Sequence, residues 1–563
     1  MNEQGPVMSF KCTYIAIVVL MTIQHALLQT TDKEWFDRFL RTGEACKSNT
    51  CRLGDSTCEC YLTIDHALTM MYRGEGQPAV LLKPLKGKAV RFDNETEFER
   101  SLEDTFILAD GYKSRIVIVV NGRFPGPTIT AMEGQEVIVH VRNLMHTDST
   151  TIHWHGLHQK KSPWSDGVAF VTQCPILPGQ NYTYKFNAKP FGTSFYHAHI
   201  GDQRTMGLYG PLIILPTPDQ QVSLPQEGDK VFVAIIQDWN HDDDEDALYQ
   251  KMLWGVYDSS GNLVDETVDP SGARYSRFKC HSGLINGERI DFLLNADEPP
   301  GTYLLVAETL EVYSENEYHA AEAIIHYKNA DINPNPRKVT ALAAYAQPDL
   351  VDYTCEACNA STICECTYAV TIDNDNKDRV YQFVITNIGG GAGWSHPVHL
   401  HGHSFYVMKM VFATYDSDGK LMQNGTQDNI DIICPDSKNF CSDAKWRNES
   451  WVEGKHPDLN WINPPQKDTI IIPTGGYVII RFKADNPGVW FFHCHIDLHN
   501  TNGMGMIINE SPKTQPKVPT NFPKCKSFET PGNINSALDH CCHRLMFFFC
   551  ITFHLLWSYH IIL

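Results

Sequence analysis

The amino-acid sequence predicts an all-β protein built from three related β-sandwich domains, and three observations carry that prediction. Short β-type runs are punctuated by Pro and Gly, with little sustained 3.6-residue periodicity. One strand-turn-strand unit occurs twice in clear form and once in weaker form. The chain, at 563 residues, is too long for one ordinary core and suits about three domains of ~150 residues.

The runs are legible in order. Residues 115–120, the turn signals Asn121-Gly122 and Pro125-Gly126-Pro127, and residues 136–141 read as strand, turn, strand. The run YTYKF at 182–186 alternates apolar and polar side chains as a half-buried strand does. Residues 178–199 read PGQNYTYKFNAKPFGTSFYHAH and residues 473–495 read PTGGYVIIRFKADNPGVWFFHCH, so Phe186, Ala188, Gly192 and His197 match Phe482, Ala484, Gly488 and His493. The weaker copy runs from Leu294-Asn295-Ala296 to Gly301-Thr302-Tyr303 and carries Val306-Ala307-Glu308 where the others carry His-x-His. The middle domain is therefore expected to share the unit without its histidines. Cuts at the Pro-containing segments after Thr217 and at 333–337 give domains at 106–217, 218–337 and 338–530.

The ends read differently. Lys11 precedes an apolar run at 13–28, the charge order and length of a secretory signal peptide over residues 1–30, with a signal anchor as the rival reading. The glycosylation triplets at Asn94, Asn181, Asn359, Asn424, Asn448 and Asn509 are compatible with a secreted protein. Residues 31–105 form a Cys-containing extension, and 531–563 a tail. The tail's apolar stretch 546–563 follows the small residues Ser536 and Ala537, an order similar to a glycolipid-anchor signal; this would attach the protein to a membrane, while a tail helix or a tail of no function are the alternatives.

Charge and cysteine use narrow the function. A formal net charge of −20 argues against nucleic acid or anionic membrane as partner. Eighteen cysteines in an exported chain read as a disulfide framework more readily than as zinc sites, for the group Cys46, Cys51, Cys58, Cys60 and for Cys355, Cys358, Cys364, Cys366 alike. The acidic run at 242–246 reads as a solvated loop.

Four histidine-rich motifs stand out: His153-Trp154-His155, His197-Ala198-His199, His396-Pro397-Val398-His399-Leu400-His401, and His493-Cys494-His495 with His499 and Met504 downstream. Alternate residues of a strand share a face, so His-x-His presents two imidazoles to one metal cluster. Two imidazoles, a thiolate and a weak thioether make a blue-copper site, and His396, His499, Cys494 and Met504 supply that set. Cys494 between His493 and His495 forms a through-bond link from such a site to a second metal group.

The stretches IHWHGLHQ, TQCPILPG, HPVHLHGHSF and HCHIDLHNTNGM resemble those of the multicopper oxidases, and within them the animal laccases, over residues 115–526. The resemblance implies three cupredoxin-like Greek-key β-sandwiches and four copper ions. It implies a type 1 copper at His396, Cys494, His499 and axial Met504, and a type 2 copper at His153 and His399. The type 3 pair would take His155, His197 and His495 on one ion and His199, His401 and His493 on the other. Asp166 and Asp497 match positions where the family keeps acids that can relay protons to reduced oxygen. Cys174 and Cys525 match positions the family joins by a disulfide, while Cys434 and Cys441 could close a local loop. The implied reaction is one-electron oxidation of small phenols, catechols or aromatic amines coupled to reduction of O2 to water. Ferroxidase activity is the enzymatic alternative.

One departure matters. Residues 218–327 are fewer than the family spends on its middle domain, and the text passes at Gly287-Glu288 from a segment resembling the early part of that domain to one resembling its late part. A truncated middle sandwich follows. An odd thirteen cysteines remain after Cys12, Cys494 and the three tail cysteines are set aside, with Cys280 the candidate orphan. An inactive copper-binding chain is the rival of a different class.

Overall fold

The computed structural model describes most of residues 45–218 and 379–525; between them it describes 220, 232–237, 239, 256–257, 263–265, 287–289, 302–308, 320–326 and 368–372. The expected signal peptide, Cys280, the cysteine group at 355–366, Cys434 and Cys441, the acidic run and the apolar tail lie outside the described residues. Residues 1–516 make one compact unit and 517–563 another. In the second unit the described residues 517–523 form a turn, closed by Phe522 N–H on the Pro519 carbonyl at 3.0 Å, and Cys525 is disulfide-bonded.

The first sandwich uses eight strands, β1 (Thr57–Leu68), β2 (Ile116–Val120), β3 (Ile129–Met132), β4 (Glu136–Asn143), β5 (Ile152–Trp154), β6 (Asn181–Asn187), β7 (Gly192–Ala198) and β8 (Tyr209–Leu215). One sheet has the order β2-β1-β4-β6, the other β3-β8-β7-β5. Strict alternation decides the inward faces. Every second residue of β4 is buried, and Val137, Val139 and Val141 pack in one core with Ile129 and Ala131 of β3 and Leu212 and Ile214 of β8. In β6, Tyr184 and Phe186 point inward while Thr183 and Lys185 are exposed.

The segment expected as a separate N-terminal extension is in part built into this sandwich. β1 pairs with β2 on one side and in parallel with β4 on the other, and its Leu62 and Ile64 are buried in the core of that sandwich. Disulfides Cys46–Cys60 and Cys51–Cys58 fasten the chain entering β1, so neither pair is a zinc site. Cys174 is also disulfide-bonded.

Of the middle region, β9 (Thr302–Glu308) pairs antiparallel with β10 (Ala320–His326). β9 carries Val306-Ala307-Glu308 where β7 carries its histidines.

The last sandwich follows with β11 (Tyr368–Ile372), β12 (Val380–Thr386), β13 (His396–Leu400), β14 (Phe405–Val411), β15 (Gln466–Lys467), β16 (Thr469–Ile472), β17 (Tyr477–Lys483), β18 (Gly488–Cys494) and β19 (Gly505–Glu510), with a short helix α1 (Asp497–Thr501) between the last two. Its sheets have the orders β11-β19-β18-β13-β16 and β12-β17-β14-β15. β17 buries both faces over its first four residues, before Arg481 and Lys483 reach outward: Val478, Ile480 and Phe482 join the inter-sheet core, while Tyr477 and Ile479 join a second cluster with Met408 and Leu459.

The repeat read from the sequence is a repeat of structure. Phe186 and Phe482 are buried in their cores, as are Ala188 and Ala484. β7 places His197 opposite His153 of β5, and β18 places His493 opposite His399 of β13. Trp490 fills the second core, fully buried, its indole N–H donating to the Asn486 carbonyl at 2.8 Å. Trp490→Ala is expected to cost about 3–5 kcal/mol, read as a lowered midpoint of denaturant unfolding; an unchanged midpoint would show that this core does not hold the last sandwich together.

Candidate metal centre

The cross-strand pairs bring eight histidines to one buried place: His153, His155, His197 and His199 from the first sandwich, His399, His401, His493 and His495 from the last. The ring nitrogen each uses for binding is fixed by what its other nitrogen does. His153 donates from Nδ1 to the Asp166 carbonyl at 2.7 Å, and His399 donates from Nδ1 to the Asp468 carbonyl at 2.9 Å. His197 and His493 do the same to the carbonyls of the next residues, Ala198 and Cys494, each at 2.8 Å. His401 donates from Nδ1 to Asp166 Oδ2 at 2.8 Å. A carbonyl or carboxylate oxygen only accepts, so these five rings carry their proton on Nδ1 and a bare lone pair on Nε2.

Those lone pairs converge. His401 Nε2 lies 3.0 Å from His493 Nε2, and His199 Nε2 lies 3.3 Å from it. A second trio forms around His155 Nδ1, with His495 Nε2 at 3.1 Å and His197 Nε2 at 3.4 Å. Between the trios, the Nε2 atoms of His153 and His399 are buried without a hydrogen-bond partner among the described residues. Two acceptor lone pairs at hydrogen-bond distance repel unless a cation lies between them, so the donor set fits bound metal, and neutral imidazole suits copper, zinc or iron.

Burial keeps the rings neutral. It lowers His199 and His396 to about 3 and His399 to about 4, with repulsion from neighbouring imidazoles adding to the effect.

The second group lies at the end of β18. Cys494 Sγ is 3.7 Å from His396 Nδ1 and 3.6 Å from His499 Nδ1, and the two nitrogens are 3.1 Å apart. Cys494 is buried and unpaired, as a ligand reading requires. Burial pushes its thiol up to about 12, so only a nearby cation would make it a thiolate at neutral pH. Met504 joins this group through its backbone, its carbonyl accepting from Cys494 N–H at 3.0 Å and its N–H donating to the His499 carbonyl at 2.9 Å. The residue itself is 41% exposed.

The two acids part company. Asp166 is fully buried; Oδ2 holds His401, while Oδ1 has no hydrogen-bond partner among the described residues and lies 3.4 Å from His153 Nδ1. Asp497, at the start of α1, pairs instead with Arg204, at 2.7 Å from Oδ1 to Nη2, and accepts from Thr205 Oγ1 at 2.7 Å. Arg204 in turn contacts His495 Nδ1 and donates to the His495 carbonyl at 2.8 Å. Asp497 therefore meets the histidine group through Arg204, whereas Asp166 touches its imidazoles directly.

Three groups escaped sequence reasoning. Asp468 lies 3.4 Å from His155 Nε2, with the Thr469 hydroxyl 3.2 Å from the same nitrogen. Burial would raise the Asp468 carboxyl, but Arg289 holds it well below the usual carboxylate range. Arg204 and Arg289 are the other two. His158 and His403, set beside ligands in the sequence, stand outside both metal groups: His158 Nε2 bonds Ser404 Oγ at 2.9 Å, and His403 Nε2 pairs with buried Glu510 at 2.7 Å.

Family models described as multicopper oxidase match residues 102–219 and 331–514, the two stretches that carry the eight imidazoles and the Cys494 group. The chain belongs to the multicopper oxidase family. It is 27% identical over 518 residues to Laccase-2 of Botryotinia fuckeliana, covering 74% of this chain and 82% of that protein. It is 27% identical over 530 residues to the L-ascorbate oxidase of Brassica rapa subsp. pekinensis, covering 72% and 90%. A solved structure of Fet3p, a multicopper oxidase that functions in iron import, aligns with 73% of this chain and 90% of its own at 22% identity and a TM-score of 0.43. This multicopper oxidase is an oxidoreductase, and its family implies copper in the histidine groups.

The buried neutral imidazoles set a pH dependence. Their folded-state pKa values of about 3 to 4 lie below the ordinary 6.5, so the unfolded chain binds more protons. Stability of the metal-free protein is then full above 6.5 and falls as pH drops toward the folded values. Thermal unfolding of the metal-free protein across that window is expected to show a falling midpoint; a flat profile would contradict burial of neutral rings.

Proposed function

We propose that this multicopper oxidase is a secreted, laccase-type enzyme that oxidises small diphenols or aromatic amines and reduces O2 to water. The observation that carries the reading is the join between the two groups: Cys494, beside His396 and His499, is covalently flanked by His493 and His495, whose Nε2 atoms belong to the two imidazole trios. His396, Cys494 and His499 would hold a type 1 copper with Met504 as a weak axial ligand. His153 and His399 would hold a type 2 copper through Nε2. His155, His197 and His495 would hold one type 3 copper, and His199, His401 and His493 the other. Bound there, four copper ions would supply one-electron oxidation at the first site and four-electron reduction of O2 at the buried group.

The protein's own residues do the rest. Nδ1 donation to backbone carbonyls keeps four rings from turning, which fixes their lone pairs before any metal arrives. Buried Asp166 can hold a proton at Oδ1 while Oδ2 keeps His401 in place, which suits proton delivery to oxygen. The Cys46–Cys60 and Cys51–Cys58 disulfides support an oxidising, extracellular setting. Among the described residues no helix is long and apolar enough to cross a membrane.

Three outcomes test the reading. Purified, copper-loaded protein is expected to be blue and to turn over a catechol with O2 consumption; selective Fe²⁺ turnover would favour a ferroxidase, and colourless protein that consumes no O2 would overturn both. Cys494→Ser should abolish the blue thiolate absorption, and a variant that stays blue refutes the ligand assignment. Asp166→Asn should stay blue yet lose about 10²-fold or more in kcat, whereas full turnover would remove Asp166 from proton delivery.

A further inference from the structure

Gly287, Glu288 and Arg289, the residues at the junction of the shortened middle region, lie against the imidazole group. The Arg289 guanidinium forks onto Asp468, with Nη1 to Oδ1 and Nη2 to Oδ2 both at 2.6 Å. Its Nε donates to the Thr193 carbonyl at 3.1 Å, in the strand that carries His197. One side chain thus ties the first sandwich to the last beside the histidines. The neighbouring pair Glu288–Lys467, at 3.2 Å, runs alongside. Two glycines make room. A Cβ at Gly156 (φ +80°) would lie 3.0 Å from Arg289 Nη2 and 3.1 Å from Asp468 Oδ2, and one at Gly287 (φ +88°) would lie 2.9 Å from the His495 ring.

We infer that Arg289 is a positioning residue for the type 2 ligand His399 and the type 3 ligand His155, acting through Asp468; the inference rests on the copper reading above. Asp468 serves both rings, its carbonyl accepting from His399 Nδ1 and its carboxylate lying 3.4 Å from His155 Nε2. Without the fork, a largely buried carboxylate would lose its compensating charge and would turn toward the imidazole N–H groups or swing away from them. Either change moves the backbone carbonyl that aims His399. A lysine keeps the charge but not the planar two-point contact. Arg289 and Asp468 also line a cavity of about 350 Å³ together with Gly156, His158 and Lys467, so the pair stands between solvent and the ligands.

The test uses the full, copper-loaded chain and reads metal retention rather than turnover. Arg289→Gln is expected to keep the blue absorption of the Cys494 site while its type 2 electron-spin signal is lost at about 10-fold lower EDTA concentration than in the unmodified protein. Arg289→Lys, which preserves length and charge and so protects the fold, should show the same selective loss to a smaller degree. A role confined to holding the sandwiches together would also release type 2 copper, whose ligands come from both sandwiches, but Arg289→Gln would then add its full loss on an Asp468→Asn background as well, and that result overturns the inference. So does a blue variant that retains type 2 copper as tightly as the unmodified chain. An unmodified chain that is never blue overturns the copper reading itself, and this inference with it.

Discussion

The architecture turns on lone-pair repulsion. His401 and His493 each commit their single N–H to an oxygen, so their Nε2 atoms face one another at 3.0 Å as two acceptors. No tautomer of either ring relieves that contact without breaking the bond at Nδ1. The rings cannot simply protonate, since burial holds both imidazoles well below their ordinary value and so neutral at physiological pH. A cation between the lone pairs resolves the conflict, and the strands, the oxygen ties and the charged groups behind them can be understood as what holds the rings in this arrangement until one binds.

Duplication makes the arrangement possible. Each outer sandwich ends its unit with a strand whose histidine lies opposite a histidine on its neighbour, His197 against His153 and His493 against His399. Two such pairs face each other, and the residue two positions on in each strand adds a second imidazole to the same side. Only the last sandwich adds a cysteine between its two histidines. That substitution converts a symmetric imidazole pocket into one with a covalent connection to a second, thiolate-containing group.

The histidines and Cys494 were legible in the sequence because strand alternation is a local rule: His-x-His declares a shared face without knowledge of the fold. The repeat was legible for the same reason, through Phe186 and Phe482 and the residues spaced behind them. The supporting shell was not. Asp468 meets His155 and Arg289 from positions 313 and 179 residues away, and nothing in QKDTIII announces either contact, although an acid directly ahead of a buried strand was a signal worth weighing. Asp497 was read from its neighbour His495, but Arg204, far earlier in the chain, claims its carboxylate. The segment holding β1 was set apart because its cysteines suggested an independent staple; the apolar residues Leu62 and Ile64 on that strand place it inside the first sandwich instead.

The central claim is that the ten histidines and Cys494 form one connected set of copper sites. Anomalous X-ray scattering at the copper absorption edge, from crystals of the copper-loaded chain, tests it most directly. The account predicts one peak between His396, Cys494 and His499, one beside the Nε2 atoms of His153 and His399, and one within each of the two imidazole trios. Copper absent from the imidazole trios, or bound at other side chains while these nitrogens stay empty, would contradict it.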